Sequence, residues 1–98
     1  MKVKRKTVLQ LAEKYNINTE IIPINILIYA LNVELEHGKR YEKIYKGTNI
    51  TNDDYDMTIK IVISHLLEYP DYYKRLKSLE KQAEKYWENK IKPSIFNN

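Results

Sequence analysis

The chain has 98 residues, 43% of them hydrophobic, and no cysteine, which suits one small domain with a modest core and excludes a disulfide framework, thiolate metal ligands and a cysteine nucleophile. Only two glycines and three prolines are present, too few for the turns of a many-stranded β fold. The net charge of +4 sits in Lys2, Lys4, Arg5 and Lys6; without them 13 basic residues balance 13 acidic ones, so residues 1–6 form a basic arm on a neutral body.

In chain order, helical spacing marks four segments. The first covers about residues 7–15, with Thr7 as the capping residue and Val8, Leu11, Ala12 and Tyr15 on one face. Gln10, Glu13 and Lys14 interrupt any apolar signal-peptide region, so secretion is not expected. The second segment runs from Pro23 to His37, with Gly38 just past its end. The apolar run Ile21–Val33 is 13 residues, short of the roughly 20 that span a membrane. Ile24, Leu27, Ile28, Leu31 and Leu35 form one face, and only Asn25, Asn32 and Glu36 make a polar stripe. A helix apolar on most sides is expected at the centre of the fold.

Residues 38–52 read as a connection with a helical turn in its middle. Thr51 or Asn52 then caps a third helix, whose first turn carries Asp53, Asp54 and Asp56 at the positive end of the helix dipole. It reaches Tyr69 before Pro70, with Ile59, Val62, Ile63, Leu66, Leu67 and Tyr69 on its main face. The fourth helix runs from about residue 70 or 71 to Ile91 and has the cleanest stripe: Tyr72, Leu76, Leu79, Ala83 and Tyr86. Lys77, Lys81 and Lys85 lie beside Glu80, Glu84 and Glu88 as a solvated face. The expectation is an all-α, compact bundle of about four helices over residues 7–92, the third and fourth forming an antiparallel hairpin, with a tail over residues 93–98.

Chemistry concentrates in "VELEHG" (33–38) and "SHLLEY" (64–69). Glu34 and His37 are three apart, hence neighbours on one helix face. Glu34 falls between Leu27, Ala30 and Leu31, off the polar stripe, whereas Glu36 lies on it as an ordinary solvated acid. A carboxylate among apolar neighbours must find a partner or a proton. His65 and Glu68 repeat the same spacing on the third helix. Two helices each carrying a Glu and a His make Glu34, His37, His65 and Glu68 a candidate divalent-metal set, suited to zinc, iron or manganese. The competing reading is a structural network in which Glu34 pairs with His65 or a lysine, and Glu68 faces water beside Lys60 and Ser64. No nucleophile pattern or glycine-rich phosphate loop is present, so an enzyme is not expected. Tyr69, Tyr72 and Tyr73 either plug a proline-broken corner or present a partner-binding surface. Lys2, Lys4, Arg5 and Lys6 could bind nucleic acid weakly and in a salt-dependent way.

Three blocks in order, "VELEHG" (33–38), "TNDDYDMTIKIVISHLLEYPDYY" (51–73) and "RLKSLEKQAEKYW" (75–87), resemble an uncharacterised family of small helical proteins from large DNA viruses, phages and some bacteria. In that pattern smaller residues stand where this chain has Ile63 and Ser64. The resemblance assigns no activity. It implies a viral or phage setting, and the expectation for the whole chain is a small non-enzymatic accessory protein, in a host cytoplasm or inside a virus particle, that binds a protein partner or itself.

Overall fold

The computed structural model describes residues 2–90, so the expected tail at 93–98 lies outside the described residues, and the fourth helix ends at Trp87, short of the expected Ile91. Four helices follow one another: α1 (Arg5–Lys14), α2 (Ile24–Glu34), α3 (Tyr55–Glu68) and α4 (Tyr72–Trp87). Short 3-10 turns occupy Leu35–His37 and Lys46–Thr48, and no strand occurs among the described residues. No described helix is long and apolar enough to cross a membrane.

α2 is the central element, touching α1, α3 and α4. Leu27, Ala30 and Leu31, spaced three and one apart, are fully buried against Val8, Leu11 and Ala12 of α1 and Ile59 and Val62 of α3. Each buried leucine contributes roughly 1.5–3 kcal/mol over its exposed state.

The basic segment is not a loose arm. Val3 is buried in the core, and its backbone N–H donates to Asn32 Oδ1 at 2.9 Å. α1 starts at Arg5, with Lys4 rather than Thr7 at the cap position and no side-chain cap. The expected boundary between residues 6 and 7 therefore falls inside a helix. An anchored Val3 positions the chain for helix entry, which a capping side chain would otherwise do. At the other end, the Lys14 ammonium and the Tyr15 hydroxyl both donate to Asp56 Oδ1 at 2.6 Å, fastening α1 to the first turn of α3.

The start of α3 also differs from expectation. Asp54 caps it, its Oδ1 accepting the Met57 N–H at 2.9 Å. Asn52 and Asp53 instead take left-handed backbone, φ 51° and 59°, and turn the chain into the helix. The Asn49 side chain accepts the Asn52 N–H at 2.8 Å and supports that turn. Gly38 ends the 3-10 turn with φ −98°, so left-handed freedom is not why glycine is there. A Cβ at Gly38 would land on the Asp53 carboxylate and lie 2.9 Å from the Asp53 backbone N.

α3 and α4 meet at a corner around Pro70, and α4 packs on both α2 and α3. Farther along α4, Glu80 accepts the Tyr29 hydroxyl at 2.7 Å. Leu67 is 82% exposed, because five residues carry it about 140° round the helix from fully buried Val62. The α4 stripe begins against the core at Tyr72 and Leu76 and emerges at Leu79 and Tyr86, which are 59% and 57% exposed. The described body measures 46 × 27 × 24 Å.

Substituting Gly38→Ala should destabilise by about 1–3 kcal/mol through steric strain against Asp53. It should appear as a lower urea midpoint with an unchanged slope; an unaltered midpoint would show that the loop yields freely.

Candidate functional site

Glu34 closes α2 and is 3% exposed, a carboxylate enclosed by α2, α3 and α4. Tyr73, in the first turn of α4 and fully buried, donates its hydroxyl to Glu34 Oε1 at 2.7 Å. His65 Nε2 lies 3.6 Å from the same oxygen, and His37 Nε2 lies 3.3 Å from Oε2. The expected pairing of Glu34 with "SHLLEY" is therefore present. No lysine or arginine among the described residues pairs with Glu34; its nitrogen partners are imidazoles.

His65 is held by aromatic contacts. Its ring stacks on Tyr72 with centroids 4.2 Å apart and 7° between planes, and meets Tyr73 edge-on at 6.1 Å. Its Nε2 faces Glu34, so Nδ1 points the other way, toward Glu68 Oε1 at 4.0 Å. Glu68 is 73% exposed and stands behind the imidazole. The four residues proposed from spacing as a metal set are thus not gathered round one point.

The donors that do converge are Glu34, Glu36 and His37, with one ligand atom from each within 4.8 Å of the others. Glu36 Oε1 is 3.7 Å from His37 Nε2. Sequence reasoning placed Glu36 in the solvated stripe, because two α-helical residues separate it by about 200° from Glu34. Its side chain is 42% exposed, as expected, and still reaches His37. The 3-10 turn at Leu35–His37, with three residues per turn, brings His37 into line with Glu34. The His37 carbonyl is fixed as well, accepting N–H bonds from Ile50 at 2.7 Å and Thr51 at 3.0 Å.

The tyrosines divide by burial. Tyr73 is inside as the Glu34 donor and Tyr72 is half-buried against His65. Tyr69 is exposed, with the Arg75 guanidinium 4.4 Å over its ring. Tyr73 as a donor was not readable from its position in the tyrosine run, since nothing local says which tyrosine turns inward. Lys2, Lys4, Arg5 and Lys6 are all exposed, and none of them pairs with Glu34.

A family described as "Protein of unknown function (DUF5661)" matches residues 8–82. The chain belongs to that family. No curated protein and no solved structure is similar enough to count as a match. The DUF5661 stretch contains Glu34, Glu36, His37, His65 and Tyr73 together, so the whole node lies inside the matched domain.

Burial first, and then the hydrogen bond to Glu34, raise the pKa of the Tyr73 hydroxyl above the usual phenol range. Burial raises Tyr72 and, with the Glu80 contact, Tyr29 in the same direction. A raised folded-state value means that the folded chain keeps protons that the unfolded chain releases. The associated stability is complete below pH ~10, the ordinary tyrosine value, and falls as pH rises beyond it. Urea midpoints from pH 8 to 11 should therefore drop steeply above about 10. Tyr73→Phe should cost about 1.5–3 kcal/mol at neutral pH and flatten that alkaline decline; an unchanged decline would dissociate Tyr73 from it.

Proposed function

We propose that this protein is a small non-enzymatic accessory protein of viral or phage type, acting in the host cytoplasm or in the virus particle by binding another protein. The observation that carries this reading is the apolar surface around Pro70. Ile21 and Leu67 are 69% and 82% exposed, and with Ile17, Ile22, Leu66 and Pro70 they line a hollow of about 220 Å³. A groove of about 480 Å³ adjoins it between α2 and α4, with Ile26 and Tyr29 on one wall and Lys74 and Lys77 on the other. Contiguous exposed apolar surface with a polar rim is typical of protein-binding sites. The flanking lysines favour a segment that is apolar in its centre and acidic at its edge. The viral setting rests on the resemblance carried by residues 33–38, 51–73 and 75–87.

A photo-crosslinking residue at position 21 or 67 tests this in cells that make the protein. Both positions should capture the same discrete protein, and exposed positions 60 and 64 should not. Equal capture from all four, or none from any, ends the reading.

One observation favours contact with nucleic acid as a second reading. Lys4, Arg5 and Lys6 are exposed at the start of α1, whose first turn holds no acid, so their charge adds to the positive end of the helix. Replacing Lys2, Lys4 and Lys6 by alanine, with buried Val3 kept, should reduce the slope of log affinity against log salt by about 0.7–0.9 for each phosphate no longer neutralised. An unaltered slope removes this reading.

A further inference from the structure

We propose that Glu34, Glu36 and His37 form a binding site for one divalent transition metal ion of the zinc type. None of its three donors lines the Pro70 hollow or the adjoining groove, and its test reads metal binding alone, so it is independent of the partner-binding reading.

The argument begins with spacing. His37 Nε2 is 3.3 Å from Glu34 Oε2 and 3.7 Å from Glu36 Oε1. These separations are long for hydrogen bonds to an imidazole N–H. They match the distance between two ligand atoms sharing one ion. With metal–ligand bonds of about 2.0–2.2 Å, the edge of a tetrahedral shell is about 3.4 Å. One ligand atom from each of Glu34, Glu36 and His37 lies within 4.8 Å of the others, and an imidazole nitrogen without its proton offers a lone pair beside the carboxylate oxygens. A proton on Nε2 can bridge one edge of that triangle, whereas a metal ion satisfies all three atoms.

Charge gives a second, independent reason. Glu34 is 3% exposed, and its ion-pair partners among the described residues are the two imidazoles. An enclosed carboxylate without a permanent cation is costly. A dication supplies the missing charge and also draws in Glu36.

The supports are those a metal ligand requires. The Tyr73 hydroxyl holds Glu34 Oε1, leaving Oε2 turned toward His37. Hydrogen bonds of this kind orient ligating carboxylates and tune affinity. The doubly bonded His37 carbonyl fixes the backbone that carries the imidazole. His65 approaches the other oxygen of Glu34 and belongs to no convergent donor group, so it is a positioning residue rather than a ligand. One nitrogen and two carboxylate oxygens suit Zn²⁺ or a neighbouring first-row ion better than Ca²⁺, which takes six to eight oxygens. His37 and Glu36 are each 42% exposed at the side chain, so an ion can enter from solvent and keep a coordination position open.

The test is isothermal titration of tag-free full-length protein with Zn²⁺, paired with Co²⁺ absorption as a coordination signature. One equivalent should bind and the Co²⁺ visible bands should rise in intensity as the ion loses octahedral water. His37→Ala should abolish both signals, and Glu36→Gln should weaken binding at least about tenfold. Both side chains are half-exposed, so both variants should keep the parent circular dichroism without metal. Tyr73→Phe should weaken Zn²⁺ by about 10–100-fold, as expected for a residue that orients a ligand. His65→Gln should retain one equivalent and the Co²⁺ bands. No binding by the parent protein, or equal binding by folded His37→Ala, would overturn the proposal; loss of the Co²⁺ bands in folded His65→Gln would overturn the assigned ligand set.

Discussion

Glu34 places a carboxylate inside the body, and much of the architecture follows from what that carboxylate demands. It needs hydrogen-bond donors or positive charge from close range. The donor comes from Tyr73, which reaches α2 only because the corner at Pro70 brings the first turn of α4 back toward it. His65 contributes from α3 and is itself held by Tyr72 of α4. Three helices are thereby fixed relative to one oxygen-bearing group. Apolar burial in Leu27, Leu31, Ile59 and Val62 supplies the driving force, but it is tolerant of small sliding. A 2.7 Å hydrogen bond inside the body is not tolerant, and it selects one arrangement.

The large features were legible because they follow from periodicity. An apolar run with a narrow polar stripe had to be central, and α2 is. Glu34 lay off that stripe, and it is buried. His65 was the expected partner, and it faces Glu34 at 3.6 Å. The rest depended on local backbone that periodicity does not encode. A fixed 100° step per residue leaves His37 about 60° short of Glu34, whereas the tightened turn brings the two into line, and Glu36 reaches the imidazole from the neighbouring position at 3.7 Å. The caps at Lys4 and Asp54 depend on what the preceding residues do: Val3 is drawn into the core, and Asn52 and Asp53 invert their backbone. Glu68 was included because it repeats a spacing, but an imidazole has two nitrogens on opposite sides, and only one can face Glu34.

The corner at Pro70 links the two surfaces of interest. Outside, Pro70 lines both the apolar hollow and the adjoining groove. Inside, Tyr73 forms part of that groove's wall while its hydroxyl holds Glu34. The groove and the carboxylate node therefore stand back to back, with one tyrosine ring between them. The emergence of Leu79 and Tyr86 farther down α4 adds apolar surface at a distance from this corner.

The connection between α2 and α3 is pinned at its two ends. Lys39 N–H donates to Asp53 at 3.0 Å, and the His37 carbonyl takes N–H groups from Ile50 and Thr51. Inside that closed neck Arg40 also ties back to α2, donating to the Asn32 carbonyl at 2.6 Å, and Glu42 accepts from Asn49 at 2.8 Å. The length of the loop beyond these contacts is then decoupled from the helices, since doubling a flexible loop beyond a fixed closure adds only about 0.6 kcal/mol of entropy. Lys43 and Ile44, exposed and beyond the Arg40 and Glu42 contacts, are accordingly where evolution, or an engineer inserting a label, can alter the chain with least effect on the carboxylate node.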